Sequence, residues 1–169
     1  ANADPTRIAE LIYPVGMYRE KARHLTEIAQ QISTRYNGQT PPEIDDLLTL
    51  PGVGRKTANL VRSFAFGLPA ICVDIHVHRI TNRLGLVRTA HPDDSERELR
   101  IVLPRRYWLE INPLLVQHGQ QICRPTRPKC DVCPFRDACA YPELRQEAEI
   151  LHDVPGLPGH PCLKLLPPA

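Results

Sequence analysis

The spacing of hydrophobic positions along the chain predicts helices almost throughout. From about Tyr18 onward, apolar side chains recur three and four positions apart, which is the period of one buried helix face. These positions are Ala22, Leu25, Ala29, Ile32 and Tyr36. Asn37-Gly38 predicts the end of this helix, because glycine commonly follows a helix C-terminus. Thr40-Pro41-Pro42-Glu43 resembles a capping box with proline in the first turn, and it predicts a short helix that ends before Pro51.

The same helical period of apolar residues continues from residue 55 to residue 118. It predicts a helix over residues 55–67, a second over 75–85, a third over 93–103 and a fourth over 106–118. Alternation of apolar and polar residues is confined to residues 70–73, a stretch too short to build a sheet. The sequence therefore predicts an all-α fold class.

Composition and charge narrow the class of protein. Of the 169 residues, 42% are hydrophobic and 24% charged, as in globular chains. No apolar run approaches the roughly 18 residues of a membrane span, and the N-terminus lacks the basic and apolar regions of a signal peptide. We expect a soluble intracellular protein without a membrane partner.

The positive charge is concentrated in the middle of the chain. Residues 51–139 carry 14 basic and 8 acidic side chains, a net charge of +6, whereas the segments on either side are each −2. Such a distribution is typical of a protein that binds a polyanion. A solvated basic face is an equally good interpretation of the charge alone.

A glycine-containing turn separates two of the predicted helices, in the string Leu50-Pro51-Gly52-Val53-Gly54-Arg55-Lys56-Thr57-Ala58. Two glycines allow a tight turn and leave backbone N–H groups uncovered. Together with the following helix N-terminus, these groups can bind a phosphate oxygen. A Gly-x-Gly pair by itself is more often only a corner between helices.

Lys56 and Asp74 are the candidate catalytic pair. Lys56 lies in the first turn of one predicted helix and Asp74 begins the next, so a surface charge and a simple N-cap are the ordinary interpretations. An amine attacks a sugar carbon only when it is unprotonated, and a helix N-terminus beside Arg55 favours that form. An aspartate could stabilise positive charge that develops on the sugar as a base leaves.

Four cysteines lie close together near the end of the predicted helices. They are Cys123, Cys130, Cys133 and Cys139, in the pattern C-x6-C-x2-C-x5-C. Four thiolates at this spacing can bind one compact inorganic centre. Zinc is one possibility, but zinc sites usually contain two C-x2-C pairs, so the single pair favours iron and sulfur. We interpret Cys72 as a small core residue and Cys162 as a thiol in the tail.

Basic side chains and histidines surround these candidates. The segment after the first cysteine contains Arg124, Arg127 and Lys129, which could contact DNA phosphates or offset the charge of an anionic cluster.

His76 and His78 face different sides of their helix, so we expect packing or phosphate contact rather than a shared metal. Arg79 and Arg83 could line a DNA surface or form ion pairs.

Three of these motifs together resemble a known family. The Leu50–Ala58 string, the segment Val73-Asp74-Ile75-His76-Val77-His78-Arg79 and the cysteine pattern occur in the order found in the endonuclease III superfamily of DNA base-excision enzymes. The resemblance runs from about Ile8 to Tyr141. It implies a helix-hairpin-helix DNA glycosylase fold, with a partial six-helix layer and a small helical [4Fe-4S] domain.

The resemblance also implies roles for individual residues. Lys56 would form a Schiff base with the sugar C1′, assisted by Asp74, and the four cysteines would hold a [4Fe-4S] cluster. Gly52, Val53, Gly54, Arg55 and Thr57 would contact DNA through the hairpin. A lysine at this position is typical of enzymes that both remove a base and cleave the strand by β-elimination. Ile75 departs from the threonine that is more usual after the aspartate.

These implications yield a set of expectations for the whole chain. We expect a helical domain over residues 1–88 with the hairpin at about 41–66, a cluster domain over 89–141, and a Pro/Gly-rich, loosely held tail over 142–169. The expected partner is double-stranded DNA with damaged bases, mainly oxidised pyrimidines, or abasic sites, bound by a monomer. The expected compartment is the prokaryotic cytoplasm at the nucleoid, or the eukaryotic nucleus or mitochondrion.

Two other functions stay open at this point. One is a mismatch-directed glycosylase of the same superfamily, and the other is a DNA-binding remnant without catalysis. The resemblance implies that family members begin before the residues that match Ala1, with helices and a glutamine-bearing loop that fills the gap left by an extruded base. Substrate preference would lie partly in that region.

Overall fold

The computed structural model describes residues 3–141, and this part of the chain is helical without a strand. This confirms the all-α prediction. Three 3-10 turns, Arg105–Tyr107, Cys130–Val132 and Arg136–Ala138, occupy the later part of the described chain. The α-helices of the described part are α1 Pro5–Ile12, α2 Tyr18–Arg35, α3 Ile44–Leu48, α4 Arg55–Phe66, α5 Ile75–Leu84, α6 Pro92–Val102 and α7 Ile111–Gln121.

Backbone contacts divide the chain into two compact units, Ala1–Phe66 and Gly67–Ala169. This division lies earlier than the boundary after residue 88 that the sequence suggests, because α5 shares a hydrophobic core with α6 and α7. The predicted assignment of residues 89–141 to a cluster domain stays a prediction. The tail over 142–169, with Cys162, lies outside the described residues.

In the first unit, α1 packs against α2 and α3 packs against α4. The core of the second pair consists of Leu47, Leu50 and Ala58, each less than 5% exposed. Ile28 of α2 and Tyr36, the C-cap of that helix, pack against this core. The interhelical turn at residues 51–54 is therefore fixed at its base by α2 as well as by its own helices.

In the second unit, α5 is the central helix and contacts both α6 and α7. Val77 and Ile80 of α5 are almost completely buried, and they meet Leu99 of α6 and Leu115 of α7. The segment before α5, which includes Cys72 as predicted, is also buried. Gly85, with a φ of 80°, ends α5 at the position predicted from the sequence.

Some predicted details are wrong. The cap of α3 is Glu43 rather than Thr40, because Pro41 and Pro42 lie outside the helix, which begins only at Ile44. Leu25 belongs to the predicted buried stripe but is 47% exposed. The last helix begins at Ile111 because the residues before it form a 3-10 turn.

Candidate functional site

The turn between α3 and α4 is a tight hairpin of residues 51–54. Gly52 has a positive φ of 72°, which glycine adopts without steric cost. The Val53 N–H donates to the Leu50 carbonyl at 3.2 Å, and the Ala58 N–H donates to the Gly54 carbonyl at 2.9 Å. Helix α4 therefore begins directly from the hairpin, and its N-terminus offers N–H groups that can bind an anion.

The two glycines of the hairpin lie in different surroundings. A Cβ at Gly52 would collide with the ring of His24, whereas a Cβ at Gly54 would meet no atom of the described chain within 4 Å. The φ of Gly54 is also outside the left-handed region. The packing of the protein therefore does not demand glycine at Gly54, and the open backbone there allows a ligand to approach closely.

The side chains that follow the hairpin lie on the first turn of α4. Lys56 and Thr57 are exposed, and Arg55 and Val53 are half-buried. Lys56 is thus placed at the helix end where the dipole is positive. Its predicted partner Asp74 belongs to the second compact unit.

Asp74 is the N-cap of α5. Its Oδ1 accepts hydrogen bonds from the backbone N–H groups of His76 at 2.8 Å and Val77 at 2.9 Å. The residue is half-buried, at the end of the buried segment that leads into α5. The cap fixes the carboxylate through one oxygen, and Oδ2 takes no part in these two bonds.

The two arginines of α5 bind the segment that carries the first cysteine. Arg83 is only 5% exposed. Its guanidinium donates to the Arg124 carbonyl at 2.7 Å, the Pro125 carbonyl at 2.8 Å and Cys123 Sγ at 3.4 Å. Arg79 donates to the Cys123 carbonyl at 2.9 Å. These contacts are hydrogen bonds to backbone and sulfur, so neither interpretation from the sequence, DNA surface or ion pair, describes them.

The histidines of α5 serve packing. His78 Nδ1 lies 2.6 Å from Ser95 Oγ in a buried polar group that joins α5 to α6. Burial lowers the pKa of His78, nearby His91 lowers it further, and Asp94 opposes the shift. His76 lies against Gly119 of α7. Neither histidine shares a ligand face with the other, as expected.

The four cysteines are half-buried in the last part of the described chain. Burial raises the pKa of the Cys130 thiol, and the neighbouring Cys123 and Cys133 raise it further. Burial likewise raises the pKa of Cys139; a hydrogen bond at the Tyr141 backbone lowers it, and the other three thiols raise it. The thiols of Cys130 and Cys139 thus lie near those of Cys123 and Cys133.

Four cysteine thiolates are the donor set that a [4Fe-4S] cluster requires. In the described residues, no group of three or more His, Cys, Asp or Glu side chains is arranged to hold one metal ion. A [4Fe-4S] cluster distributes its four thiolates over four irons, so its ligands do not converge on one point. The guanidinium of Arg83 beside Cys123 Sγ would offset part of the thiolate charge.

The basic segment after Cys123 is held by a backbone hydrogen bond, and its charged side chains are exposed. The Lys129 N–H donates to the Ile122 carbonyl at 3.0 Å and closes the loop at its base. The side chains of Arg124, Arg127 and Lys129 are all exposed. Their charges are therefore available to a ligand in solution.

Comparison with known proteins decides the family. Residues 1–105 match the model of the HhH-GPD superfamily of base excision DNA repair proteins. Over 150 residues, which are 89% of this chain and 70% of the relative, the chain is 43% identical to endonuclease III of Thermotoga maritima. The chain belongs to the endonuclease III family. The family-level prediction from the three motifs is confirmed, and with it the class of DNA glycosylases with AP lyase activity.

Other endonuclease III relatives are longer than this chain. The bovine endonuclease III-like protein 1 is 43% identical over 139 residues, which are 80% of this chain but 46% of the relative. A solved structure of a trapped endonuclease III–DNA covalent intermediate has a TM-score of 0.78 and 36% identity, over 85% of this chain and 68% of the other.

Within the endonuclease III fold, two contacts were not predicted from the sequence. His24 packs on the hairpin glycine, and no motif pointed to it because it lies far from the hairpin in sequence. The contact between Arg83 and Cys123 Sγ was also missed, although the spacing of Arg79 and Arg83 by one helical turn was a usable signal.

In the described residues, no helix has the length and apolar character to cross a membrane.

Proposed function

We propose that this chain removes oxidised pyrimidine bases from double-stranded DNA and then cleaves the strand at the abasic site. The observation that carries the proposal is the hairpin: an open backbone at Gly54, followed immediately by exposed Lys56 on the first turn of α4. A backbone that binds phosphate next to a primary amine brings the amine to the sugar of the bound strand.

In the proposed reaction, Lys56 is the nucleophile. Its unprotonated Nζ forms a bond to C1′ as the C1′–N bond to the base breaks, and the departing base takes up a proton. Loss of a proton from Nζ and opening of the sugar ring leave a Schiff base. Removal of a proton from C2′ then breaks the C3′–O bond, and the 3′ phosphate leaves. Hydrolysis of the imine regenerates the amine.

Asp74 supports this chemistry as an anion of fixed position. The cap on α5 holds its Oδ1, so the carboxylate needs little reorganisation as positive charge develops on the sugar. As a general base, the carboxylate also accepts the proton that Lys56 loses.

Two further groups of residues bind DNA or support the fold in this proposal. Phosphates bind to the backbone of Gly52, Val53 and Gly54 with Arg55 and Thr57, and to the exposed loop cations Arg124, Arg127 and Lys129. The four cysteines, Cys123, Cys130, Cys133 and Cys139, hold a [4Fe-4S] cluster. When bound, the cluster cross-links the segment as a structural centre.

Borohydride trapping tests the proposed lysine. Reduction of the Schiff base leaves the protein covalently attached to an abasic-site duplex, and we expect this adduct with the parent chain. Lys56→Ala should form no adduct and should keep DNA affinity within about threefold, because the hairpin backbone supplies most phosphate contacts.

Lys21→Ala, which removes an exposed lysine from α2, is the matched control and should form the adduct as the parent does. An undiminished adduct in Lys56→Ala would overturn the assignment. A parent chain that binds the duplex and forms no adduct would instead indicate a DNA-binding remnant.

A further inference from the structure

The imidazole of His24 lies directly on the hairpin glycine. A Cβ built on Gly52 would lie 2.4 Å from His24 Nδ1 and 3.1 Å from Cγ and Cε1. Real Cβ atoms essentially never come this close to a neighbouring atom, so the ring occupies the space that a side chain at Gly52 would need. The only face of Gly52 that could carry a side chain is therefore covered by His24.

His24 belongs to a helix that packs beneath the hairpin, and one side chain of that helix contacts its ring. Ile28, one helical turn further along, packs against the core beneath the hairpin. The Arg23 guanidinium lies 3.3 Å from His24 Nε2 and also pairs with Glu27 at 3.2 Å.

A support at this position matters because glycine turns are the least restricted part of a backbone. Gly52 adopts many conformations at little cost, and only the left-handed one observed here gives this hairpin. Ordering a free residue costs conformational entropy, and this cost weakens binding. A turn that is already ordered avoids this cost.

We propose that His24 is a positioning residue of the DNA-binding hairpin. Its ring holds Gly52 in the left-handed conformation and so presents the N–H groups of residues 52–54 to a phosphate before DNA arrives. The inference rests on the proposed function, since it assigns to α2 a part of the phosphate site.

Substitution of His24 separates this role from general stability. We expect His24→Ala to raise the Kd for an abasic-site duplex about five- to tenfold, because the hairpin must then be ordered on binding. The rate of adduct formation at saturating DNA should stay within about twofold of the parent, since Lys56 is unchanged. His24→Phe replaces the ring without its nitrogens and should restore the Kd to within about twofold.

Gln30→Ala, at an exposed position of the same helix, is the control and should leave the Kd unchanged. Hydrogen exchange of the Val53 and Gly54 amides should be faster in His24→Ala and not in Gln30→Ala. If His24→Ala does not fold, His24→Phe still decides the point, because a weakened Kd in a folded His24→Phe protein contradicts ring packing.

A double-mutant cycle with Gly52→Ala gives an independent test. The alanine methyl must collide with His24 in the parent but not in His24→Ala, so Gly52→Ala should raise the Kd less in the His24→Ala background. Additive effects would overturn the inference. A parent that binds no DNA would overturn the proposed function as well, whereas a parent that binds and equals His24→Ala would overturn the inference alone.

Discussion

Asp74 joins a structural and a proposed chemical task in one carboxylate. The two backbone N–H groups that it caps belong to the first turn of α5, and both bonds end on Oδ1. An N-cap of this kind contributes about 1 kcal/mol to stability. The negative charge is not needed for the cap, because an amide oxygen accepts the same bonds. Substitution can therefore separate the two tasks.

Replacement of Asp74 by asparagine should leave the fold intact and remove the chemistry. We expect the free energy of unfolding of Asp74→Asn to lie within about 0.5 kcal/mol of the parent value, because asparagine caps helices as well as aspartate does. Adduct formation should slow by roughly two orders of magnitude, because the charge is lost. Urea unfolding and single-turnover trapping measure the two effects.

Asp74→Ala is the comparison, since it loses both the cap and the charge. It should be less stable than the parent by about 1 kcal/mol and as slow in trapping as Asp74→Asn. Full trapping activity in Asp74→Asn would show that the carboxylate acts only as a cap.

At the scale of elements, the sequence predicts what local signals determine. Asp74 caps the start of α5 and Gly85 ends it. Both signals lie directly beside the helix in the sequence, so both could be predicted. The predicted start of α3 is wrong, because Pro41 and Pro42 precede the helix instead of forming its first turn. Contacts between distant elements were also missed, such as His24 on the hairpin, because a one-dimensional pattern does not state which helices pack together.

The connection between α5 and the cysteine segment is such a contact, and it can be tested at Arg83. Lysine keeps the charge but cannot reach the Arg124 and Pro125 carbonyls together. We expect Arg83→Lys to lower the free energy of unfolding by roughly 1–3 kcal/mol, the usual loss when buried hydrogen bonds are broken. Hydrogen exchange in residues 123–129 should become faster.

Arg88→Lys makes the same change at an exposed arginine of the second unit and is the control. It should be within about 0.5 kcal/mol of the parent. Equal stability of the two variants would mean that the bonds from Arg83 do not hold the cysteine segment in place.

For the whole molecule, the sequence shows that the charge is uneven along the chain, but it does not show which of these charges lie on the surface. The net +6 of residues 51–139 predicted a polyanionic partner, and the structure distributes this charge unevenly over the surface. Arg83 is buried and used internally, while Arg124, Arg127 and Lys129 are exposed. Counting charges along the chain could not separate these two groups, because burial depends on the packing of α5.

The exposed loop cations should account for a measurable part of the salt dependence of DNA binding. Each phosphate contact contributes about 0.9 to the slope of log K against log salt concentration. Replacing Arg124, Arg127 and Lys129 with alanine should therefore reduce the slope by up to about 2.7, with a weaker affinity at low salt. Fluorescence anisotropy across a salt series measures this slope.

The control removes three exposed arginines of the same unit, Arg88, Arg97 and Arg106. Both triple variants lose the same formal charge, so a general electrostatic attraction would lower their slopes equally. A reduced slope in the loop variant only would show that the loop contacts phosphates directly. Equal slopes would mean that the loop cations contribute to the field of the protein and not to its DNA interface.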